Sequence, residues 1–173
     1  AYATAVGLLL WGMRHTQTGQ PESRRRREPS IFWQRVRDIA FIFDTDIYTN
    51  AMRKVPSKTL LNRLKKVPRR DQFTTTITIG EVYYGLMKAS NRTKLLKLFE
   101  SVLLPRATIL PFAFSAAKKY GEIRSFLEKQ GTPLAHADLQ IASIALSMDM
   151  TLITGNLKHF QRVPQLSAEN WLL

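Results

Sequence analysis

The stretch IAFIF at residues 39–43, followed at once by Asp44 and Asp46, decides how this chain is interpreted. A short continuous apolar run is typical of a strand that is buried on both faces, as strands of parallel sheets are. Ligands of open parallel sheets bind at the carboxyl ends of the strands, which is where acids directly after a strand would lie. The stretch therefore predicts a central strand with a candidate site at its end.

Further strands and helices are predicted along the rest of the chain. The strands are expected at residues 73–79 (FTTTITI), near 108–110 and at 151–154 (TLIT). Apolar residues recur at helical spacing between them. The expected helices follow an N-cap at Ser57, open at Gly80 and Glu81, span about 92–104, run from a cap at Ser115 to Gly131, and end near Met148. Short strands alternating with longer helices predict an α/β fold with a mainly parallel central sheet flanked by helices.

Composition excludes several classes of site. The 173 residues suit one domain, and none of them is cysteine. Disulfides, thiolate zinc sites and cysteine nucleophiles are therefore excluded, and a reducing compartment such as the cytoplasm is expected. The uncharged run at residues 1–13 is shorter than the roughly 20 residues that span a bilayer and lacks the basic start of a signal peptide, so no membrane association is expected.

The charge of the chain predicts a polyanionic partner. Lys and Arg number 26 against 13 Asp and Glu, a formal net charge of +13. After residue 40 the counts are still 19 and 10, so the basic character belongs to the expected domain. Nucleic acid, an anionic membrane or an acidic protein would suit such a surface, whereas the alternative is a chain that is merely basic and soluble.

The first forty residues differ from the remainder. A polar Gly, Pro and Ser stretch leads into four consecutive arginines at residues 24–27, and the chain does not begin with Met. We expect residues 1–40 to be an N-terminal extension, either disordered or not native, and residues 41–173 to form the domain.

Three acids and one amide come from separate segments and form a candidate constellation. Asp44 ends the first strand, Glu81 and Asp138 are expected in the first turns of helices, and Asn156 follows the fourth strand. Clustered carboxylates repel one another unless a cation joins them. Oxygen ligands suit Mg²⁺ or Mn²⁺, and such an ion can activate water and stabilise charge at a phosphate. The pattern indicates metal-assisted phosphodiester hydrolysis.

Each acid also has a structural interpretation. Asp44 has no evident capping role, whereas Asp46 is expected to be an N-cap rather than a ligand. Glu81 and Asp138 could simply complement helix N-termini. His136 could reach a substrate bound near Asp138, and His159 is expected to be structural.

Four segments resemble the motifs of PIN domains, in the order in which that family has them. They are FIFDTDIY (41–48), TITIGEVYYGLMKA (76–89), YGEIRSFLEKQGTPLAHADLQIASIAL (120–146) and TLITGNLKHFQRVPQLSAENW (151–171). The last is similar to the C-terminal motif of VapC-type toxins of toxin–antitoxin systems. The resemblance implies a PIN-like fold and a Mg²⁺-dependent endoribonuclease that attacks tRNA or rRNA. It also implies a homodimer inhibited by a VapB-like antitoxin.

Carried over by position, Asp44, Glu81 and Asp138 would be the catalytic, metal-binding carboxylates, with Thr45 a hydroxyl that orients Asp44 or a water. The fourth acidic position falls on Asn156, where many relatives have Asp. Because an amide adds no negative charge, one Mg²⁺ is expected rather than two, although Asp46 could restore part of the missing charge. The alternatives are a non-catalytic RNA-binding or adaptor PIN domain and a nuclease that acts on DNA.

Overall fold

The computed structural model describes residues 40–173. Apart from Ala40, the predicted extension and its arginine block lie outside the described residues. The chain folds around one sheet whose pairings are all parallel, in the order β3-β2-β1-β4-β5. The strands are β1 (Phe41–Phe43), β2 (Gln72–Thr75), β3 (Thr108–Leu110), β4 (Thr151–Ile153) and β5 (Ala168–Glu169). The α/β prediction is confirmed, and β5 is a strand that the sequence analysis missed.

Helices connect the strands. They are α1 (Thr45–Ala51), α2 (Lys58–Lys66), α3 (Thr76–Lys88), α4 (Arg92–Leu98), α5 (Phe114–Lys129), α6 (His136–Met148) and α7 (Leu157–Phe160). A π turn at Phe99–Leu103 and a 3₁₀ turn at Leu104–Arg106 extend α4 toward β3. Within residues 40–173, no helix is both long and apolar enough to cross a bilayer.

Apolar residues cover both faces of the sheet. Ile42 and its register partner Leu152 belong to one buried cluster, which contains residues of α5 and α6. Phe43 and its partner Ile153 belong to another, which contains residues of α1, α2 and α3 and Trp171. Because neighbouring residues of a strand point to opposite faces, β1 and β4 each contribute to both clusters. The sheet is therefore buried on both sides, as the apolar run predicted.

The order of the strands places a crevice beside β1. The chain moves outward from β1 to β2 and β3, then returns to the other side of β1 with β4 and β5. The order reverses between β1 and β4, and ligands of open α/β sheets bind at the carboxyl ends of strands at such a point. Asp44 follows β1 and Asn156 follows β4, so the fold brings these two residues to the same crevice.

The prediction of a strand over residues 73–79 is wrong beyond Thr75. The Thr75 side chain accepts a hydrogen bond from the Thr78 backbone N–H at 2.9 Å and thereby caps α3. The β-branched residues after it, which favour strands locally, form the first turn of that helix. Glu81, predicted in the first turn, consequently lies in the second.

Two predicted caps are confirmed and one is wrong. The Ser57 hydroxyl accepts from the Leu60 N–H at 3.2 Å and caps α2. Gly131 follows α5 with a left-handed φ of 67°, as expected of a glycine that ends a helix. Ser115, however, lies inside α5, which begins at Phe114 after Ala113 without a side-chain cap.

Candidate active site

The four predicted site residues line one cavity of about 270 Å³ at the carboxyl ends of β1 and β4. Asp44 comes from the end of β1, Glu81 from α3, Asp138 from α6 and Asn156 from the loop after β4. Asp46 in the first turn of α1 lines it as well. Folding thus brings together side chains that are more than one hundred residues apart in sequence.

Asp44 is the most buried acid of this cavity, with 6% of its surface exposed. It is also the N-cap of α1, so the prediction that it has no capping role is wrong. Its two oxygens accept from the Thr45 N–H at 2.7 Å and from the Thr154 hydroxyl at 2.8 Å. Burial, followed by the charge of Asp46, raises the pKa of Asp44 to about 6. A carboxylate held ionised here needs more positive charge than these two neutral donors supply.

Asp46 is held by the loop after β4, so its predicted role as an N-cap is wrong. Its Oδ2 accepts from the Gly155 N–H at 2.6 Å and lies 3.4 Å from the Thr154 hydroxyl. A Cβ at residue 155 would lie 2.5 Å from Leu172 Cδ1 and 2.8 Å from that same Oδ2, so any other residue here would have to displace the Leu172 and Asp46 side chains. Burial raises the pKa of Asp46. Its other oxygen, Oδ1, is buried and accepts no hydrogen bond from the described residues.

Glu81 and Asp138 are less buried than Asp44. Glu81 is exposed in the second turn of α3, which rules out the interpretation as a helix N-terminal acid. Asp138 lies in the first turn of α6 as predicted, and its side chain is 25% exposed. These acids reach the cavity from α3 and α6, whereas Asp44 follows β1 directly and Asp46 lies in the first turn of α1.

Sequence reasoning missed two residues that support this site. Thr154 donates to Asp44, and its hydroxyl accepts from the Asn156 N–H at 3.0 Å. His159 Nδ1 lies 2.7 Å from Asn156 Nδ2 and 3.4 Å from Asp138 Oδ2, so its expected structural role is incomplete. Both residues follow β4, which ends at the crevice, and this position in the sequence could have identified them as candidates.

His136 does not line the cavity. Its Nδ1 lies 2.6 Å from the Tyr120 hydroxyl, between α5 and α6. Thr45 does line it, but the contact with Asp44 is made by its backbone N–H rather than by the predicted hydroxyl.

The oxygen atoms that line the cavity are suitable ligands for a hard divalent cation. Carboxylate and amide oxygens are the ligands that Mg²⁺ prefers, and the unpartnered Oδ1 of Asp46 is an acceptor without a donor. Among residues 40–173, no three acidic or histidine side chains are already drawn together into a metal-binding cluster. They instead line a space wide enough for an ion that keeps several of its waters.

Basic side chains are exposed on α2 and around the start of α4. Those left exposed include Lys58, Lys65, Lys66, Arg69, Arg70, Lys88, Arg92 and Lys94. Arg63 is different, because it pairs with Glu169 at 3.3 Å and lies over the Trp171 ring. The basic residues of these segments are therefore exposed, and Arg63, although exposed as well, is engaged by Glu169 and Trp171.

Comparison with known proteins places the chain in a family. The PIN domain family matches residues 41–166. Ribonuclease VapC2 of Rickettsia felis is 33% identical over 136 residues, which cover 76% of this chain and 97% of that protein. The tRNA(fMet)-specific endonuclease VapC of Salmonella typhimurium is 33% identical over 97 residues, 56% of this chain and 73% of that protein.

A solved structure agrees with these matches. The structure of VapBC2 from Rickettsia felis, bound to a DNA fragment from the promoter, matches with a TM-score of 0.71 at 31% identity. The match covers 76% of this chain and 98% of that chain. The resemblance stated from the four motifs is confirmed, and the chain belongs to the PIN domain family, with VapC ribonucleases among its relatives.

Proposed function

We propose that this protein is a divalent-metal-dependent endoribonuclease of the VapC kind, with Asp44, Glu81 and Asp138 as its catalytic carboxylates. The observation that carries the proposal is the convergence of these acids and Asn156 on one cavity at the switch point of the sheet. Family membership supports the reaction class. The exposed basic residues on α2 and α4 supply the charge that a polyanionic substrate requires.

The residues of the cavity would have different roles in such a reaction. Asp44, Glu81, Asp138 and Asn156 would hold one Mg²⁺, or Mn²⁺, and Asp46 adds a fifth set of oxygens. When bound, the ion supplies a Lewis acid for a phosphate oxygen and lowers the pKa of water. Thr154 holds Asp44 in place through a 2.8 Å hydrogen bond, and Gly155 holds Asp46. The exposed basic residues on α2 and around the start of α4 would bind the RNA backbone.

The proposed partners follow from the relatives. One relative is a tRNA(fMet)-specific endonuclease, which makes tRNA the first substrate to test and rRNA the second. The solved VapBC2 structure supports a VapB-like antitoxin as the inhibitor. A homodimer within that toxin–antitoxin assembly is the expected oligomer.

Cleavage of labelled RNA by the purified protein tests the proposal. Wild type should cut RNA with Mg²⁺ and not with EDTA, and a DNA of the same sequence should stay intact. Asp138→Asn should reduce the rate by at least about a hundredfold, because it removes a charged ligand at the N-terminal end of α6.

The matched control is Asp149→Asn, which makes the same change at the other end of α6, outside the cavity. Asp149 has a left-handed φ of 57°, which asparagine also adopts readily, so this variant should cleave like wild type. RNA binding without Mg²⁺-dependent cleavage would contradict the enzyme and favour the adaptor. Equal cleavage of DNA would contradict the choice of RNA.

A further inference from the structure

His159 lies behind Asn156 rather than in the cavity. It belongs to the short helix α7, whose next residue, Phe160, is 1% exposed and anchors this turn in the core. Its backbone N–H donates to the Asn156 carbonyl at 3.0 Å. Asn156 lines the cavity, whereas His159 does not, and the two side chains meet at 2.7 Å. A contact made from outside the cavity indicates that one side chain supports the other.

The chemistry of the two groups fixes the direction of this hydrogen bond. An amide nitrogen can only donate, so Asn156 Nδ2 donates to His159 Nδ1. The imidazole therefore carries its proton on Nε2. With its nitrogen engaged, Asn156 presents Oδ1 on the other branch of the amide, and Oδ1 makes no hydrogen bond with the residues that the structure describes.

We infer that His159 is a positioning residue that turns the Oδ1 of Asn156 toward the cation site. The inference rests on the proposed function, because it assumes that an ion or its hydration water occupies the cavity. An amide offers one oxygen and one nitrogen to a cation, and only the oxygen binds. A carboxylate offers two equivalent oxygens and needs no such selection. The requirement for His159 is thus a consequence of asparagine at position 156.

His159 also lies near a second cavity residue. Asp138 Oδ2 is 3.4 Å from the same Nδ1, but an Nδ1 that accepts from Asn156 has no proton to donate, so this approach is not a hydrogen bond and does not contribute to the positioning of Asn156. Outer groups that orient a ligand commonly contribute ten- to hundredfold to metal affinity. We expect a contribution near the lower limit, because the His159 side chain is 49% exposed.

The inference is tested by a double-mutant cycle. The Kd for Mn²⁺ is measured for each variant by calorimetric titration of the full chain with MnCl₂. His159→Ala should weaken Mn²⁺ binding about tenfold when residue 156 is asparagine. In an Asn156→Asp background the same change should alter the Kd by less than about twofold. His159→Gln should restore most of the affinity, since its amide oxygen is also an acceptor for Asn156 Nδ2.

Thermal unfolding in EDTA separates positioning from folding. All variants should unfold within a few degrees of their parent, since His159 is half exposed, and His159→Gln provides the comparison if the alanine variant does not fold. An equal loss of affinity in both backgrounds, or no loss in either, would overturn the inference. Absence of Mn²⁺ binding by wild type would overturn it together with the metal site. Tight Mn²⁺ binding without RNA cleavage would overturn only the proposed function.

Discussion

Ile42, Phe43 and Asp44 follow one another in the chain and are almost equally buried, at 0%, 2% and 6% exposed, yet burial has opposite consequences for them. The first two pack into the apolar clusters on the two faces of the sheet. The third faces a cavity lined by other acids. Removal of water stabilises the folded state at Ile42 and Phe43, whereas at Asp44 it destabilises the folded state.

The two regions differ in what their buried side chains need in order to be stable. A buried aliphatic side chain is stabilised by about 2 kcal/mol through loss of apolar surface from water. A buried carboxylate must be neutralised, hydrogen-bonded or paired with a cation. Asp44 has two donors and acidic neighbours, and its raised pKa of about 6 records the imbalance. The apolar faces of the sheet therefore stabilise the fold, whereas the burial of Asp44 opposes it.

The largest expected effect is on the apolar side of the comparison. Leu152 is fully buried in β4 beside Ile42. Leu152→Ala should lower the free energy of unfolding by about 3 kcal/mol, since it removes apolar contacts and leaves a cavity. Urea denaturation followed by circular dichroism measures this. A loss below about 1 kcal/mol would mean that the sheet interior is less tightly packed than described.

The opposite sign is expected at the adjacent acid. Without divalent metal, Asp44→Asn should stabilise the protein at pH 7 by on the order of 2 kcal/mol, because the ionised carboxylate is disfavoured by burial. The folded pKa of Asp44, about 6, exceeds its ordinary value of 3.8. The folded state therefore binds more protons between these values, and wild-type stability should fall as pH rises from 4 to 7.

Urea denaturation in EDTA at pH 4 and pH 7 follows this contribution, and Asp149→Asn serves as the control with the same change of charge. The difference between Asp44→Asn and wild type should be small at pH 4 and clear at pH 7. A destabilised Asp44→Asn at pH 7 would show that the hydrogen bonds of Asp44 outweigh its burial.

A smaller effect is expected for the hydroxyl that connects the two regions. Thr154 is fully buried, donates to Asp44 and accepts from the Asn156 N–H. Thr154→Val keeps the shape but leaves the Asp44 Oδ2 and the Asn156 N–H without their hydrogen bonds to the hydroxyl, which should cost about 1 to 2 kcal/mol. It should also raise the pKa of Asp44 further. Urea denaturation at pH 7 measures the cost of Thr154→Val in wild type and in the Asp44→Asn background. A cost that is the same in the two backgrounds would exclude energetic coupling between Thr154 and Asp44.

The apolar region was the more predictable of the two. Alternation of short strands and helical spacing predicted the sheet, because those patterns follow from burial of one side chain after another. The prediction fails where a single hydrogen bond decides whether a segment is strand or helix. Thr75 ends a strand by capping α3, although the residues after it favour strand. The two-residue β5 is too short to give any periodic signal.

The candidate site was predictable in part. Acids at the end of a strand and motif order predicted Asp44, Glu81, Asp138 and Asn156, and all four line the cavity. The role of His159 was not predicted, because it depends on contacts with Asn156 and with Asp138 on another helix. The roles of Asp46 and Thr154 were not predicted, because they depend on contacts between the start of the domain and the loop after β4, more than one hundred residues later. Pairings over that separation leave no local pattern in a single sequence.

The most direct test of the central claim is the thermal stability of the protein at pH 7 as MnCl₂ is added. The account predicts that wild type, less stable than Asp44→Asn in EDTA, gains several degrees with millimolar Mn²⁺, because an ion that binds only the folded state stabilises it. Asp44→Asn should gain much less. Equal gains by both proteins, or no gain by wild type, would contradict the claim that a cation offsets the burial of these acids.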